Sequence, residues 1–361
     1  TWPQLLRQKG YRTAIFGKWH LGIRPESSPK EFGYDNASLF KDGPGGATKM
    51  DPLMEIDGVQ QPMTGFGGDI ITGQAIEFIK ENARKGPVLV SLHLREPHIP
   101  YEPVPDIDDK VYRNRKIEEI PEWPGLDRQW AEDTMRSYYK SVASIDRNVG
   151  RLLDTLDDLK LSDNTVVIYS SDHGYMIGHN GVYGKGTATY AGGDIRSASR
   201  RPNMFDNAIR VPLLIRWPEV IRPGMRIKQM VTNLDYFPTL LTIADAQSLL
   251  PDDYPIFGRD FTPLLRGELV QWRTVIFGDY DMYHYVKDSM RMIRTEDWKL
   301  VMHTHLEFPP ELYDLRNDPG ERVNLANRID YFDTYLDLRR RLYRWQVWMA
   351  DPGRIAPWEP Q

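Results

Sequence analysis

Short apolar runs alternate with helical patterns along most of this 361-residue chain. Apolar residues recur at helical spacing over residues 71–79 and, in a much longer stripe, over residues 135–159. Between and around these patterns lie runs rich in β-branched and apolar residues, which are typical of buried strands: TAIF (13–16), VLVSLHL (88–94), TVVIYSS (165–171) and VPLLIRW (211–217). This alternation predicts an α/β fold with a mostly parallel central sheet flanked by helices.

The pattern changes twice along the chain. Residues 102–127 are rich in proline and charge and have no periodicity, which predicts an irregular excursion over the surface. Later, two strands of a hairpin are predicted at 291–295 and 298–303, followed by an amphipathic helix near 331–349. We therefore expect an α/β domain over residues 1–266 and a smaller C-terminal α+β subdomain, with a small antiparallel sheet and a terminal helix, over residues 267–361.

Composition argues against several classes of protein. The formal net charge is −5 and no long run of lysine and arginine occurs, so nucleic-acid binding is not expected. No apolar run is long enough to cross a membrane, so no membrane span is expected either. With no cysteine in the chain, these residues supply no disulfide, thiolate metal site or cysteine nucleophile.

Ionisable residues follow three of the predicted strands directly. Lys18 and His20 follow TAIF, His98 follows VLVSLHL, and Asp172 with His173 follows TVVIYSS. Any one of them alone is more typical of a solvated loop. Because ligands of open α/β sheets bind beyond the carboxyl ends of the strands, however, the three segments together predict a common site. An adjacent carboxylate and imidazole suit a divalent cation, although an ordinary Asp-His-Gly turn has the same sequence.

Familiar phosphate-binding motifs are absent. Gly184-Lys185 lacks the spacing and the hydroxyl of a P-loop, and Gly65-Phe66-Gly67 lacks the last glycine of a dinucleotide-binding fingerprint. His303 and His305 share one face of a predicted strand, a pattern more typical of an exposed strand face than of a metal site.

Several motifs together carry a family resemblance. They are GYRT (10–13), GKWHLG (17–22), EPHIPY (96–101), SSDHGYMIG (170–178), YGKGT (183–187), RVPLLIRWP (210–218), LDYFPTLL (234–241) and LYDLRNDPGERVNLA (312–326). Each is weak alone, but the set occurs in the order found in sulfatases and covers most of the chain. The chain thus resembles the sulfatase family of the alkaline phosphatase superfamily, which implies a sulfuric ester hydrolase.

The resemblance also implies roles for individual residues. Lys18 and Lys185 would hold sulfate oxygens, and His20 would contact the nucleophile. His98 would contact the sulfate ester and protonate the leaving alcohol. Asp172 and His173 match the pair that binds a divalent cation, usually Ca²⁺, with Mg²⁺ and Mn²⁺ as alternatives.

One part of the family pattern is not found in these residues. Sulfatases carry, before the GKWH segment, a strand that ends in paired acidic metal ligands and a Cys-or-Ser-x-Pro-x-Arg motif. The first residue of that motif is oxidised to formylglycine, the nucleophile. Because residues 1–10 resemble the helix that follows it, we expect the nucleophile upstream of this chain or in an N-terminal fragment of the same protein. The chain alone would then be incomplete for catalysis.

Several alternatives remain at this point. The substrate implied is an aryl or carbohydrate sulfate, but a phosphonate or phosphate diester hydrolase of the same superfamily, or a non-catalytic binding module, shares these motifs. Specificity is predicted in residues 102–127, around His303 and His305, and near Arg196, Arg200 and Arg201, although solvated arginines are the more typical case. The resemblance suggests an exported protein, and the oligomeric state stays open.

Overall fold

A five-stranded mixed sheet lies at the centre of the N-terminal part of the protein. The computed structural model describes residues 1–22, 24–41, 48–191, 200–282, 286–304 and 308–351. The strands of this sheet are β1 (Arg12–Gly17), β2 (Asn36–Phe40), β3 (Leu53–Ile56), β4 (Val59–Pro62) and β5 (Val88–His93). In the order β4-β3-β2-β1-β5, β1 pairs in parallel with β2 and β5, whereas β3 and β4 continue the sheet antiparallel. The strand predictions for TAIF and VLVSLHL are confirmed.

The helices of the described residues lie in both parts of the protein. They are α1 (Trp2–Gln8), α2 (Gly67–Asn82), α3 (Asp106–Tyr112), α4 (Arg128–Asp158), α5 (Asp206–Ile209), α6 (Tyr236–Ile243), α7 (Thr262–Leu265) and α8 (Phe332–Trp348). α2 packs on β1 and β5, and α4 packs on α2. On β1, Phe16 packs into one hydrophobic cluster with Ile71, and Ile15 packs into another with Tyr34. Burial on both faces explains why this strand is continuously apolar.

The long helix α4 confirms the stripe predicted for residues 135–159. It begins after Asp127, whose side chain accepts a hydrogen bond from the backbone N–H of Trp130 at 3.0 Å and so caps the helix. Met135 and Ile145 are among its buried residues. The prediction for residues 102–127 was only partly correct, because α3 lies within them and packs against α4.

Two small sheets follow α4. β6 (Val167–Tyr169) pairs antiparallel with β11 (Leu214–Arg216) in a separate two-stranded sheet, which corrects the expectation that these runs belong to a mostly parallel central sheet. The second small sheet has the order β10-β9-β8-β7. Its strands are β7 (Met176–Ile177), β8 (Val182–Gly184), β9 (Thr187–Tyr190) and β10 (Arg200–Pro202).

The C-terminal part forms an antiparallel sheet of four strands covered by a helix. The strands are β12 (Val275–Met282), β13 (Asp288–Thr295), β14 (Trp298–His303) and β15 (Glu311–Asp314), and α8 packs on β13 and β14. The predicted hairpin and terminal helix are confirmed, as is the α/β class with a smaller, β-rich C-terminal unit. The boundary at residue 267 stays a prediction. Within the described ranges, no helix has the length and apolarity that a membrane crossing requires.

Two predictions about polar residues were wrong. The His303 side chain is fully buried and not on an exposed face, since Asp288 and Glu311 flank its two ring nitrogens at 2.6 and 3.2 Å. Arg201 is not a solvated loop residue, because it lies in β10 and contacts Glu311 Oε1 at 2.6 Å. Arg200 also belongs to β10, whereas His305 and Arg196 lie outside the described residues.

Candidate active site

The ends of β1 and β5 hold the first candidate, Lys18. Its backbone N–H donates to the carbonyl of His93 at 2.9 Å, and the His93 ring donates from Nδ1 to the Lys18 carbonyl at 3.0 Å. Gly17 has φ +112°, and a Cβ there would lie 2.1 Å from the His93 carbonyl oxygen. Only glycine permits this close approach, so the GK pair fixes where Lys18 leaves the sheet.

The segment that carries His98 follows β5. His98 Nδ1 lies 2.7 Å from the Ile99 carbonyl, which only accepts, so Nδ1 carries the proton and Nε2 is the atom able to exchange one. Buried Lys49 stabilises this segment at both ends. Its Nζ donates to the Tyr101 carbonyl at 2.8 Å and lies 4.0 Å from Glu96 Oε1. Burial lowers the pKa of Lys49 to about 8, although Glu96 opposes the shift.

Asp172 and His173 follow β6 in a tight turn. Asp172 Oδ1 accepts a hydrogen bond from the His173 backbone N–H at 3.1 Å, and the His173 ring donates from Nδ1 to the Gly174 carbonyl at 2.9 Å. The Gly174 backbone in turn donates to the Ala208 carbonyl at 2.8 Å, which ties the turn to α5. His173 is thereby held with Nε2 directed at Asp172 Oδ2, 3.3 Å away.

Lys185 lies in the two-residue turn between β8 and β9. The buried Asn203 amide donates to the Lys185 carbonyl at 3.0 Å, and the Asn203 backbone N–H donates to the Gly186 carbonyl at 3.0 Å. Tyr280 of β12 covers the other side, since a Cβ at Gly186 would lie 2.8 Å from its ring. The C-terminal sheet therefore contacts the turn that carries Lys185.

Five of the six candidates influence one another electrostatically. Burial and the nearby Lys18 lower the pKa of Lys185, and burial, Lys185 and Lys18 lower the pKa of His98. Burial alone would raise the pKa of Asp172, but His173, Lys18 and Lys185 outweigh it and lower that pKa. Burial and Lys185 lower the pKa of His173. Residues from four separate segments thus form one cluster that is rich in positive charge.

His20, the sixth candidate, lies two residues after Lys18. Its side chain is exposed, and no hydrogen bond or ion pair joins it to the other five in the described part of the chain. Its role stays a prediction.

The Asp172–His173 pair fits part of a cation site. With the proton on Nδ1, the His173 Nε2 lone pair faces a carboxylate oxygen, and two acceptors in contact are stabilised by a cation between or beside them. Calcium takes six to eight oxygen ligands, however, so two residues do not complete its shell. No cluster of three or more histidine, aspartate or glutamate residues with metal-binding geometry occurs among the residues described.

Sequence reasoning missed the residues that support the site. His93 ends an apolar run and was visible only as the one ionisable residue in it. The supporting roles of Asn203 and Lys49 could not be predicted from the sequence. Both residues lie in stretches without periodicity, and their roles depend on contacts with distant segments.

Comparison with known proteins places this chain in a family. The family model described as Sulfatase matches residues 1–246, and that of the C-terminal part of N-sulphoglucosamine sulphohydrolase matches residues 199–347. An N-acetylglucosamine-6-O-sulfatase of Bacteroides thetaiotaomicron is 26% identical, over 97% of this chain and 73% of the relative.

Solved structures share the fold. One, described as a complex with its substrate D-glucosamine-2-N,6-O-disulfate, is 24% identical with a TM-score of 0.82, over 99% of this chain and 84% of that one. A phosphonate monoester hydrolase of Agrobacterium radiobacter is 20% identical with a TM-score of 0.67, over 96% of this chain and 80% of that one. Since the Sulfatase model alone matches more than half of the residues, the chain belongs to the sulfatase family and is a sulfuric ester hydrolase.

Proposed function

We propose that this protein hydrolyses a saccharide sulfate and that Lys18, Lys185 and His98 bind the sulfate group. The proposal depends on one observation above all, the convergence of two ammonium groups and an imidazole on one cluster where burial and mutual repulsion lower the pKa values of Lys185 and His98. Like charges held together in a partly buried place are stabilised by an anion, and a sulfate monoester supplies one.

Each residue has a distinct task in this proposal. Negative charge grows on the bridging oxygen as the S–O bond breaks, so Lys18 and Lys185 stabilise it through the sulfuryl oxygens. His98, with Nδ1 bonded to the Ile99 carbonyl, donates a proton from Nε2 to the leaving alcohol. The lowered pKa of His98 makes it a stronger acid, and the bound anion restores its protonated form.

Asp172 and His173 would hold the divalent cation, which we propose to be Ca²⁺. A cation bound there supplies further positive charge toward the sulfuryl oxygens. His173 keeps its Nδ1 proton on the Gly174 carbonyl, which fixes the ring orientation that presents Nε2. The nucleophile that the family resemblance implies is formylglycine, and His20 would contact it.

A saccharide is the substrate class favoured by the relatives. The bacterial relative is named for an amino-sugar 6-O-sulfate, and the family model over residues 199–347 is named for a sulfated amino sugar. The competing function is hydrolysis of a phosphonate or phosphate ester, because the phosphonate monoester hydrolase shares the fold. A binding module without activity would use the lysines to hold a sulfate group, but it would not need His98 as a proton donor to a leaving alcohol.

Substrate preference and lysine variants test this proposal. We expect the full-length protein to hydrolyse N-acetylglucosamine 6-sulfate or an aryl sulfate faster than an aryl phosphodiester. Lys18→Ala and Lys185→Ala should each lower kcat/KM by about a hundredfold or more. Lys80→Ala, which removes an exposed lysine paired with Glu77, is the control and should leave the rate unchanged. Faster diester cleavage, or near-normal rates in both site variants, would contradict the proposal.

A further inference from the structure

Three of the segments that form the candidate site each carry a tyrosine close to the site residue. Tyr101 shares a segment with His98, Tyr175 follows His173, and Tyr183 precedes Lys185. Tyr175 directly precedes β7 and Tyr183 lies in the adjacent strand β8, whereas Tyr101 is far from both in sequence. Even so, all three belong to one cluster, packed around buried Tyr101 and Ile177.

The three tyrosines contact one another through their rings and their hydroxyl groups. The rings of Tyr101 and Tyr175 lie 6.3 Å apart and those of Tyr175 and Tyr183 lie 5.6 Å apart, both edge to face. The Tyr101 and Tyr183 hydroxyls are hydrogen-bonded at 3.0 Å, and the Tyr175 ring contacts the rings of both. Burial raises the pKa of Tyr101, so its hydroxyl remains protonated and able to donate.

Helix α4 provides a rigid support for this group. Tyr138 of α4 packs edge to face on Tyr101 with ring centroids 5.6 Å apart, and Trp130 of α4 packs on Tyr183 at 5.3 Å. Both residues belong to one 31-residue helix. Tyr101 and Tyr183 are therefore linked to each other by their hydroxyls and fixed to a common helix by ring packing.

We propose that the Tyr101–Tyr183 hydroxyl bond, with Tyr175 packed against both rings, sets the spacing of His98 and Lys185, and that Tyr101 and Tyr183 thus act as positioning residues for sulfate binding. The inference rests on the proposed role of Lys185 and His98. Protonated His98 and Lys185 repel each other, so the segments that carry them separate unless other bonds oppose the repulsion. The hydrogen bond between the Tyr101 and Tyr183 hydroxyls joins these two segments and resists that separation.

Packing alone would need the rings but not their hydroxyls, and this difference makes the proposal testable. Tyr→Phe substitutions keep the ring and remove only the hydroxyl. We expect Tyr101→Phe and Tyr183→Phe in the full-length protein to weaken binding of inorganic sulfate, measured by calorimetry, by about three- to tenfold. Because both variants break the same bond, the double variant should bind no more weakly than about the weaker single variant.

Tyr138→Phe is the matched control, since its ring packs on the same cluster from α4, which carries none of the candidate site residues. It should bind sulfate as the unchanged protein does, and thermal unfolding should show all variants folded. Sulfate affinity within twofold of the unchanged protein in both site variants would overturn the inference, as would strictly additive losses. The Lys185→Ala variant distinguishes a failure of the proposed function from a failure of the tyrosine inference. If it leaves sulfate affinity unchanged, the proposed function is wrong, and if it alone weakens binding, only the tyrosine inference is wrong.

Discussion

Asn203 shows how a single uncharged side chain supports a site made of charges. Its side chain is buried, and its amide donates to the carbonyls of Lys185 and Arg201 at 3.0 and 3.1 Å. The turn it holds carries Lys185, whose pKa is lowered by burial and by the charge of Lys18. An amide suits this task because it has two donors and carries no charge that would compete with the substrate anion.

Replacing this amide should affect both stability and binding. We expect Asn203→Ala to lower the free energy of unfolding by about 1–3 kcal/mol, because buried carbonyls lose their donor. It should also weaken sulfate binding, since the Lys185 turn loses one of its two supports. Urea denaturation and a sulfate titration measure the two effects.

The control for this prediction is Asn324→Ala. The Asn324 amide also donates to a backbone carbonyl, that of Pro310 at 2.9 Å, but it lies in the C-terminal unit. We expect this variant to lose stability and keep its sulfate affinity. An Asn203→Ala protein with unchanged sulfate affinity would show that the turn needs no such support.

At the scale of single residues, the sequence predicted the charged residues of the site better than the residues that hold them in place. Lys18, His98 and Asp172 were found because each follows an apolar run, and strand ends of an α/β sheet meet at one edge. Lys185 was found only through the family resemblance. Asn203 and the hydroxyl of Tyr183 were not predicted, because their function depends on contacts between segments that no local pattern records.

At the scale of elements, β14 shows that alternating polar and apolar residues do not always indicate a strand with an exposed face. Alternating polar residues normally indicate a strand with one exposed face. In β14, however, α8 covers one face, and on the other face Lys299 donates to the Met204 carbonyl at 3.0 Å. Both faces are therefore buried, and the polar residues pair with charged partners. Apolar β1 and β5 were predicted correctly, because a continuous apolar run has one simple explanation.

Lys299 is the clearest case of a buried charge in β14. Its fully buried Nζ contacts Asp206 Oδ1 at 2.5 Å and Glu321 Oε1 at 2.6 Å. We expect Lys299→Ala to lower the free energy of unfolding by about 3–5 kcal/mol, because it leaves buried carboxylates without this partner. Arg316→Ala, which breaks an exposed pair with Asp297, should cost less than about 1 kcal/mol. Equal losses in chemical denaturation would contradict this assignment.

At the scale of the whole molecule, charge networks join the two units that the sequence predicts. Glu311 of β15 contacts Arg201 of β10 at 2.6 Å, and it also accepts a hydrogen bond from Tyr313 at 2.7 Å. Asp206 of α5 contacts Arg294 of β13 at 2.7 Å. Arg201 and Asp206 both belong to the stretch of chain that follows the Lys185 turn. Through these two ion pairs, the C-terminal sheet contacts and supports the part of the chain that carries the site. The change in sequence pattern near residue 267 predicted a boundary between the units but not the ion pairs that join them.

Protonation of His303 makes the stability of the contact between the two units depend on pH. Burial alone would lower the pKa of His303, but the carboxylates of Asp288 and Glu311 outweigh it and raise that pKa above its usual value. Because the folded protein holds this proton more tightly than the unfolded chain, the stabilisation is complete below about pH 6.5. It is lost as the pH rises through the raised pKa. Arg201 stays charged throughout and faces Glu311 from β10.

Substituting His303 should therefore cost most at low pH. We expect His303→Gln to lower the free energy of unfolding by about 3–5 kcal/mol at pH 6, because a cation between two buried carboxylates is removed. The difference from the unchanged protein should shrink as the pH rises, when measured by urea denaturation at several pH values. His179→Gln is the control with the opposite sign, since burial lowers the pKa of His179 and its proton opposes folding at low pH. A His303→Gln cost that is the same at every pH would show that His303 is neutral in the folded protein.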